Sequence, residues 1–202
     1  MTVPLPPDTI LFRYRPFHQF TEILAMQSLW FASAETLSDV NEGRFLPTFV
    51  DPNPHRQIAR PTIEYSDRIR CVSCWSINES PCHFMWSQFA PALGIAIQTT
   101  ISSLLASLHL TLPYLEHGRM LYDPASQTNK FRKDLKYARE KEYRVRYLPL
   151  GYPQPGHPVA VNLATLIHGV WIAPHNDTPE FVRSVKDELA RHSLGSIPLR
   201  IG

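Results

Sequence analysis

The stretch Lys136-Tyr-Ala-Arg-Glu-Lys-Glu-Tyr-Arg-Val-Arg-Tyr147 is the one on which the fold and the function of this chain depend. If a strand begins at Glu140, successive side chains point to opposite faces of a sheet. One face then carries only charged side chains, which are Glu140, Glu142, Arg144 and Arg146. A folded protein keeps such a face where it is solvated, internally paired or functional, so the rest of the chain must be searched for groups that meet it.

The composition is that of one globular domain. Of 202 residues, 44% are hydrophobic and 19% are charged, which supports a sizeable core and argues against disorder. The 19 prolines and 8 glycines predict stiff loops and short helices. We expect a single domain over residues 1–202, with an irregular lead-in over 1–9 and long loops over 47–67 and 151–158.

The distribution of charged residues and the number of cysteines indicate the cellular compartment and the class of binding partner. The net charge is only +2, but the segment from Lys130 to Arg146 has eight Lys or Arg against three Asp or Glu, a local net charge of +5. A basic patch beside two carboxylates suits phosphates or nucleic acid, and it is equally typical of a solvated strand face. The sequence has no signal-peptide pattern and no stretch long enough to span a membrane, and its three cysteines fit a reducing compartment. We therefore expect a cytoplasmic protein with no membrane association.

Hydrophobic periodicity predicts short strands interrupted by short helices. The expected strands cover 10–15, 29–33, 68–76, 94–98, 115–122, the stretch from 140 onward, 166–172 and 197–201. The expected helices cover 18–27, a short segment from Ser80 or Pro81, one capped by Thr100 and a last one capped by Asp177 or Thr178. Polar turns are expected over 37–43 and 123–129. This order predicts an α+β domain with a central, mostly antiparallel sheet and short flanking helices.

A metal site and the common nucleotide-binding loops have little support. Cys71, Cys74, Cys82 and His83 form part of a zinc-binding pattern, but Cys71 and Cys74 would face opposite sides of a strand. The adjacent residues Cys82 and His83 would also be awkward ligands for one ion. The sequence has no phosphate-binding loop, no Gly-x-Gly-x-x-Gly and no His-Glu-x-x-His. We therefore expect no metal site.

Several short motifs, taken in order, resemble a bacterial uncharacterised domain family, number 2971 in the domain-of-unknown-function series. They are Tyr14-Arg15, Leu29-Trp-Phe-Ala-Ser33, Leu37-Ser-Asp-Val-Asn-Glu42, Cys74-Trp-Ser76, Met85-Trp-Ser-Gln-Phe-Ala90 followed by Gly94-Ile-Ala-Ile97, and Glu140-Lys-Glu-Tyr-Arg144. The chain departs from the family pattern at Ser38, Val40, Asn41, Gln88, Phe89 and Tyr137. The resemblance covers most of the chain from Leu11 to Ile172 and implies no activity by itself.

A second resemblance implies an activity. An arginine on the first strand, a serine on a middle strand and a late Glu-x-Glu strand resemble the ADP-ribosyltransferases of the Arg-Ser-Glu kind. The resemblance implies a split sheet, NAD as substrate and Glu142 as the catalytic residue. It further implies that Arg13 or Arg15 holds the dinucleotide. On chemical grounds alone, the second carboxylate, Glu140, would position or deprotonate the acceptor. The other expected NAD-binding residues lie on the first three strands: Tyr14, Trp30, Ser33 and Ser76.

The residue types also suit this chemistry without reference to a family. Cleavage of the nicotinamide–ribose bond passes through an oxocarbenium-like state, which a carboxylate stabilises, and arginine binds pyrophosphate bidentately. The leading hypothesis is an NAD-dependent transferase that modifies nucleic acid or protein, as a toxin or defence effector with an antitoxin or immunity partner. The alternative is a non-enzymatic module that holds nucleic acid or a protein. In a purely structural interpretation, Glu140 and Glu142 only pair with neighbouring arginines.

Overall fold

Nine strands and five α-helices follow one another in the described part of the chain. The structure, a computed structural model, describes residues 4–33, 36–37, 70–109, 115–122, 131–149 and 155–202. The strands are β1 (Ile10–Pro16), β2 (Ser28–Ser33), β3 (Cys71–Ile77), β4 (Gly94–Thr100), β5 (Leu115–Arg119), β6 (Glu142–Tyr147), β7 (Gly156–Ala160), β8 (Gly169–Ile172) and β9 (Leu199–Ile201). The helices are α1 (Phe17–Met26), α2 (His83–Phe89), α3 (Ile101–Ser107), α4 (Leu163–Leu166) and α5 (Pro179–Arg191), with 3₁₀ segments at Leu135–Glu140 and Pro174–Asn176.

The strands form one mostly antiparallel sheet that forks at β3. The main path runs β5-β6-β3-β1-β4-β8-β9, and β2 and β7 form a side branch. β6 pairs with one side of β3 from Cys71 to Ser76. The other side of β3 is divided, because β1 pairs only with its last residues and β2 only with Val72 and Cys71. The predicted α+β class with a split, mostly antiparallel sheet is therefore confirmed, and β8–β9 is a parallel pair.

Each face of the sheet packs against its own set of helices. The main core cluster includes buried residues of α1, α3, α4 and α5, such as Phe20, Leu104 and Val185. A smaller cluster on the other face joins Phe12 and Tyr14 of β1 to side chains of α2. Alternation along β1 therefore places Arg13 on the opposite face of the strand from Phe12 and Tyr14.

The predicted helix caps at Thr100 and Thr178 are confirmed. The Thr100 hydroxyl accepts a hydrogen bond from the Ser103 amide, and the Thr178 hydroxyl accepts one from the Phe181 amide. Each bond satisfies an amide that the first turn of a helix leaves without a partner. In the described segments, no helix is long and apolar enough to cross a membrane.

Several element boundaries differ from the sequence prediction; the strand expected over 115–122, for example, ends at Arg119. The strand expected from Glu140 begins at Glu142, because Glu140 ends a 3₁₀ segment and Lys141 adopts a left-handed conformation with φ of 44°. The strand expected over 166–172 is shorter, since Leu166 ends helix α4, which Asn162 caps. The loop expected over 151–158 ends earlier, since β7 begins at Gly156 and pairs with β2. The loop at 47–67, the turn at 123–129 and most of the turn at 37–43 lie outside the described residues.

Candidate functional site

A cavity of about 190 Å³ opens where the sheet forks. It lies between β1, β2, β3 and the residues at the start of β6, and α2 contributes Met85 and Phe89 to its wall. The sequence-predicted site residues that line it are Arg13, Tyr14, Arg15, Trp30, Ser76, Glu140 and Glu142. Because the sheet divides at this point, the cavity is lined both by Arg13 and by side chains from the opposite face of the sheet.

The two glutamates form a buried cluster with two cations. The ammonium group of Lys133 lies 2.7 Å from Glu140 Oε2 and 3.1 Å from Glu142 Oε2. Arg144 Nε donates a 2.6 Å hydrogen bond to Glu142 Oε1. Burial works to raise the pKa of Glu142, but the charges of Arg144 and Lys133 outweigh it and lower that pKa to about 2. Glu142 is therefore a carboxylate throughout the physiological range.

The arginine side of the cavity has no such compensation. Arg13 is buried, and its terminal nitrogens donate to Ser73 Oγ at 2.5 Å and to the Trp30 carbonyl oxygen at 2.7 Å. Its Nε atom is buried without a hydrogen-bond partner in the described structure. Burial lowers the pKa of Arg13 well below its usual value, and the nearby charge of Arg15 lowers it further. A buried guanidinium without a counter-charge is costly, and an anion in the cavity would relieve that cost.

Arg15, two residues further along β1, likewise has a backbone carbonyl as its hydrogen-bond partner and a lowered pKa. It donates to the Tyr14 carbonyl oxygen at 3.0 Å, and burial lowers its pKa. Within the described part of the chain, neither Arg13 nor Arg15 forms an ion pair with a carboxylate. The cavity thus has a cationic end that lacks counter-ions and an anionic end that holds its own.

A second cavity of about 510 Å³ adjoins the first on the α1 side. Both cavities are lined by Arg13, Arg15 and Trp30, and the second also contacts Gln19, Glu22 and Met26 of α1. The Trp30 side chain is 45% exposed, so one of its faces is available to a ligand. Gly156 permits this arrangement, because a Cβ atom there would lie only 2.6 Å from the Trp30 ring.

Tyr14 and Ser76 have supporting contacts at the cavity wall. The Tyr14 hydroxyl accepts a 3.0 Å hydrogen bond from the Cys82 amide, and its ring packs edge-on against Trp86 at 4.9 Å. The Ser76 hydroxyl donates to the Glu140 carbonyl oxygen at 2.9 Å and so ties β3 to the segment that carries Glu140. Both residues are positioned to shape the cavity.

Ser33 is the predicted residue that the structure places away from both cavities. Its side chain is buried, its amide donates to the Pro155 carbonyl oxygen at 3.0 Å, and its carbonyl oxygen accepts from Thr36. These contacts hold the end of β2. A role for Ser33 in NAD binding stays a prediction.

Lys133 and Cys74 are site residues that the sequence analysis missed. In the sequence, Lys133 is one of eight cations between Lys130 and Arg146, and nothing in its sequence neighbourhood shows that it turns inward. Cys74 lines the cavity beside Glu142, whereas Cys71 lies in the core on the other face. Burial, followed by the charge of Glu142, raises the pKa of the Cys74 thiol to about 12. The thiol is therefore protonated and adds no second negative charge beside the carboxylate.

The basic patch expected over Lys130–Arg146 is partly internal. Arg144 and Arg146 are buried, and they pair with Glu142 and Glu116 respectively. Among the described residues of this segment, the exposed cations are Lys136, Arg139 and Lys141. Among the described residues, no group of three or more His, Cys, Asp or Glu is placed to hold a metal ion.

Comparison with solved structures finds matches to DarT from Thermus sp. 2.9. The complex with NAD+ has a TM-score of 0.47 and 12% identity, over 98% of this chain and 96% of that chain. The complex with carba-NAD+ has a TM-score of 0.45 and 13% identity, with the same coverage. The complex with ADP-ribosylated ssDNA has a TM-score of 0.45 and 12% identity, over 100% of this chain and 97% of that chain. No family model and no curated protein matches the sequence, so membership of domain family 2971 stays a prediction.

Proposed function

We propose that this protein is an NAD-dependent ADP-ribosyltransferase whose site is the cavity at the fork of the sheet. One observation carries the proposal: a single cavity joins two buried carboxylates to two arginines that have no carboxylate partner in the described structure. NAD matches this distribution of charge. Its pyrophosphate is anionic, and its nicotinamide ribose becomes cationic as the glycosidic bond breaks.

Arg13 and Arg15 are the proposed pyrophosphate ligands. Phosphate oxygens accept charge-assisted hydrogen bonds from guanidinium groups, and these are about twice as strong as neutral ones. Arg13 already has its orientation fixed by Ser73 and Trp30, so binding would cost little further ordering of its side chain. The buried Nε atom of Arg13 would be a donor for the same anion.

Glu142 is the proposed catalytic residue. Its negative charge is fixed by Arg144 and Lys133, and it lies in a buried site where an electrostatic contact is stronger than in water. A carboxylate beside C1′ stabilises the positive charge that develops on the ribose. Glu140 faces the same cavity and would accept the proton of the incoming acceptor.

The two adjoining cavities offer one place for each half of a dinucleotide. The cavity at the glutamates, about 190 Å³, is the proposed place for nicotinamide and its ribose. The arginines stand at the boundary with the cavity of about 510 Å³, which would receive the adenosine half. Trp30, exposed at this boundary, offers an aromatic face on which a ring of NAD would stack.

Nucleic acid is the acceptor that we favour over protein. Lys136, Arg139 and Lys141 are exposed within one short segment that contains Glu140, a residue of the cavity lining, and this segment carries more cations than anions. Phosphates of a nucleic-acid strand would be attracted to it. A role as a toxin or defence effector, with an antitoxin or immunity partner, follows as an expectation from such an activity.

The test is release of nicotinamide from NAD by the purified protein, with and without single-stranded oligonucleotides. Glu142→Gln keeps the shape of the side chain and removes its charge, so we expect nicotinamide release to fall about a hundredfold or more. Glu180→Gln, an exposed glutamate in the first turn of α5, is the matched control and should retain activity. Normal turnover by Glu142→Gln would remove Glu142 from the mechanism.

A non-enzymatic nucleic-acid module is the second candidate. It is favoured by the same three exposed cations and by the ion pairs that Glu142 already forms with Lys133 and Arg144. It predicts oligonucleotide binding that weakens steeply as salt rises, because phosphate neutralisation releases counterions. Under this alternative, binding would occur without any nicotinamide release and would be unchanged in Glu142→Gln.

A further inference from the structure

Lys133 has a place in the site that surface lysines do not have. Its ammonium group contacts Glu140 at 2.7 Å and Glu142 at 3.1 Å, and its side chain is 11% exposed. Both carboxylates line the cavity. One cation therefore joins two acidic side chains from different elements, the end of a 3₁₀ segment and the start of β6.

The backbone fixes Lys133 in this place. Its amide donates a 3.0 Å hydrogen bond to the Leu121 carbonyl oxygen, and the adjacent Arg132 forms a β-bridge with Leu121. The ammonium group also lies 4.6 Å from the centre of the Tyr137 ring. These contacts hold the cation by several independent supports, so it does not sample solvent as an exposed lysine does.

Two carboxylates this close together would repel each other without a cation between them. Repulsion either drives like charges apart or causes one of them to take up a proton. Other groups also face Glu142: Arg144 on β6, the Cys74 thiol on β3, and Tyr122 after β5, whose hydroxyl accepts from the Glu142 amide at 2.8 Å. Tyr122 also lies within electrostatic range of Glu140, but a phenol hydroxyl carries no positive charge to offset the repulsion. Lys133 is a cation in direct contact with both carboxylates.

We propose that Lys133 is a positioning residue of this site, whose ammonium bridge keeps the carboxylates of Glu140 and Glu142 at a fixed separation and directed into the cavity. The inference rests on the proposed transferase function. In the reaction, the bond between C1′ and the nicotinamide nitrogen breaks and its electron pair leaves with the ring. The acceptor nucleophile forms the new bond to C1′, and its proton passes to Glu140. Both carboxylates must be in place during this one step, which is what the bridge provides.

The chain offers a conservative variant and a matched control. Lys133→Arg keeps a cation between the two acids, while Lys133→Met keeps most of the volume and removes the charge. Lys136→Met removes a lysine that lies 4.9 Å from the same Tyr137 ring but is exposed and is not in contact with either glutamate among the described contacts. A change in the titration of Glu142 that is caused only by weaker packing on Tyr137 would appear in both methionine variants.

The first measurement needs no turnover. The carboxylate carbon of Glu142, assigned by its absence in Glu142→Gln, is followed by ¹³C NMR as the pH is lowered. We expect Lys133→Met to raise the titration midpoint of Glu142 by about one pH unit or more, since a cation within contact distance shifts a carboxylate by that amount. Lys136→Met should leave the midpoint where it is. An unchanged midpoint in folded Lys133→Met would overturn the proposal whatever the activity.

The second measurement is the pH profile of nicotinamide release. Lys133→Met should lower kcat roughly tenfold to a hundredfold, because misplaced catalytic groups lose that much. The acid limb of its profile should move to higher pH, and Lys133→Arg should restore most of kcat. A fall in kcat with an unshifted pH profile would mean a merely structural role and overturn the proposal. If the wild-type protein releases no nicotinamide while the NMR midpoint shifts as expected, the transferase function fails and the role of Lys133 in catalysis fails with it.

Discussion

The two ends of the cavity differ in whether a buried charge has a partner of opposite charge. At the β6 end, Glu142 is surrounded by Arg144 and Lys133, so its charge is balanced within the protein. At the β1 end, Arg13 is equally buried but is held by a serine hydroxyl and a backbone carbonyl, which carry no net charge. Among the described residues, the charge of the glutamate end is balanced without a ligand, and the charge of the arginine end is not.

This difference separates stability from binding. A buried ion pair that is already balanced contributes to the folded state, and breaking one member leaves a charge without its partner. A buried cation with no carboxylate partner among the described residues lowers the stability of the folded state, and binding of an anion relieves that cost. We therefore expect changes at Glu142 to affect folding and catalysis, and changes at Arg13 to affect ligand affinity.

The largest expected effect concerns the stability of the glutamate end in acid. The pKa of Glu142 is lowered from 4.5 to about 2 in the folded protein, so its stabilising contribution is complete above the pKa of the unfolded chain. That contribution is lost as the pH falls from about 5 to about 2, and it amounts to something on the order of 3 kcal/mol. Chemical denaturation of the wild-type protein across this range should show the loss.

Glu142→Gln supplies the comparison for this measurement. It has no charge to lose at this position, so its free energy of unfolding should fall less steeply between pH 5 and pH 2. Glu180→Gln, changed at an exposed site, should follow the wild-type curve. Parallel curves for the wild type and Glu142→Gln would show that the Glu142 cluster does not stabilise the fold.

The next effect concerns the affinity of the arginine end for anions. Arg13→Met should weaken binding of NAD, and of inorganic pyrophosphate as a simpler probe, by about 10- to 100-fold, the usual value of a charged hydrogen bond. Titration calorimetry would measure both ligands, and thermal unfolding without ligand would verify that the variant folds. Arg183→Met, an exposed arginine on α5, should bind as the wild type does.

Pyrophosphate also distinguishes the two ends directly. Glu142→Gln should bind pyrophosphate at least as well as the wild type, because the probe contacts only the proposed phosphate site. If Arg13→Met and Glu142→Gln weakened pyrophosphate binding equally, the two ends would not act separately. The assignment of anion binding to the arginine end alone would then be wrong.

The sequence predicted the local features of this site better than its long-range ones. The alternation from Glu142 to Tyr147 placed Glu142 and Arg144 on one face correctly, and the caps at Thr100 and Thr178 follow from local hydrogen bonding. These features depend on residues a few positions apart. Periodicity and cap preferences are sufficient to predict them.

The features that local sequence patterns did not predict depend on distant pairings or on unusual backbone. The fork at β3 arises because β1 and β2 share one side of that strand. No local pattern reveals this pairing, and the split sheet was expected only from the resemblance to ADP-ribosyltransferases. Lys141 takes a left-handed conformation that is normally adopted by glycine or asparagine. The strand therefore begins two residues later than the alternation of side chains predicts. Lys133 reaches its carboxylates through pairing with Leu121, and it therefore looked like one more surface cation.

The smallest expected effect concerns Ser76, which belongs to the glutamate end by position but acts only through the backbone. Its buried hydroxyl donates to the Glu140 carbonyl oxygen at 2.9 Å and accepts from Asn78 at 2.7 Å. Ser76→Ala should cost about 1 kcal/mol of unfolding free energy, the usual net value of such a bond. Nicotinamide release should fall only a few-fold, because both carboxylates keep their cations. Ser87→Ala, which removes an exposed hydroxyl on α2, is the control. A loss of nicotinamide release as large as that of Glu142→Gln would instead place the Ser76 hydroxyl in contact with NAD. The glutamate end would then bind its ligand through a neutral group as well as through its carboxylates.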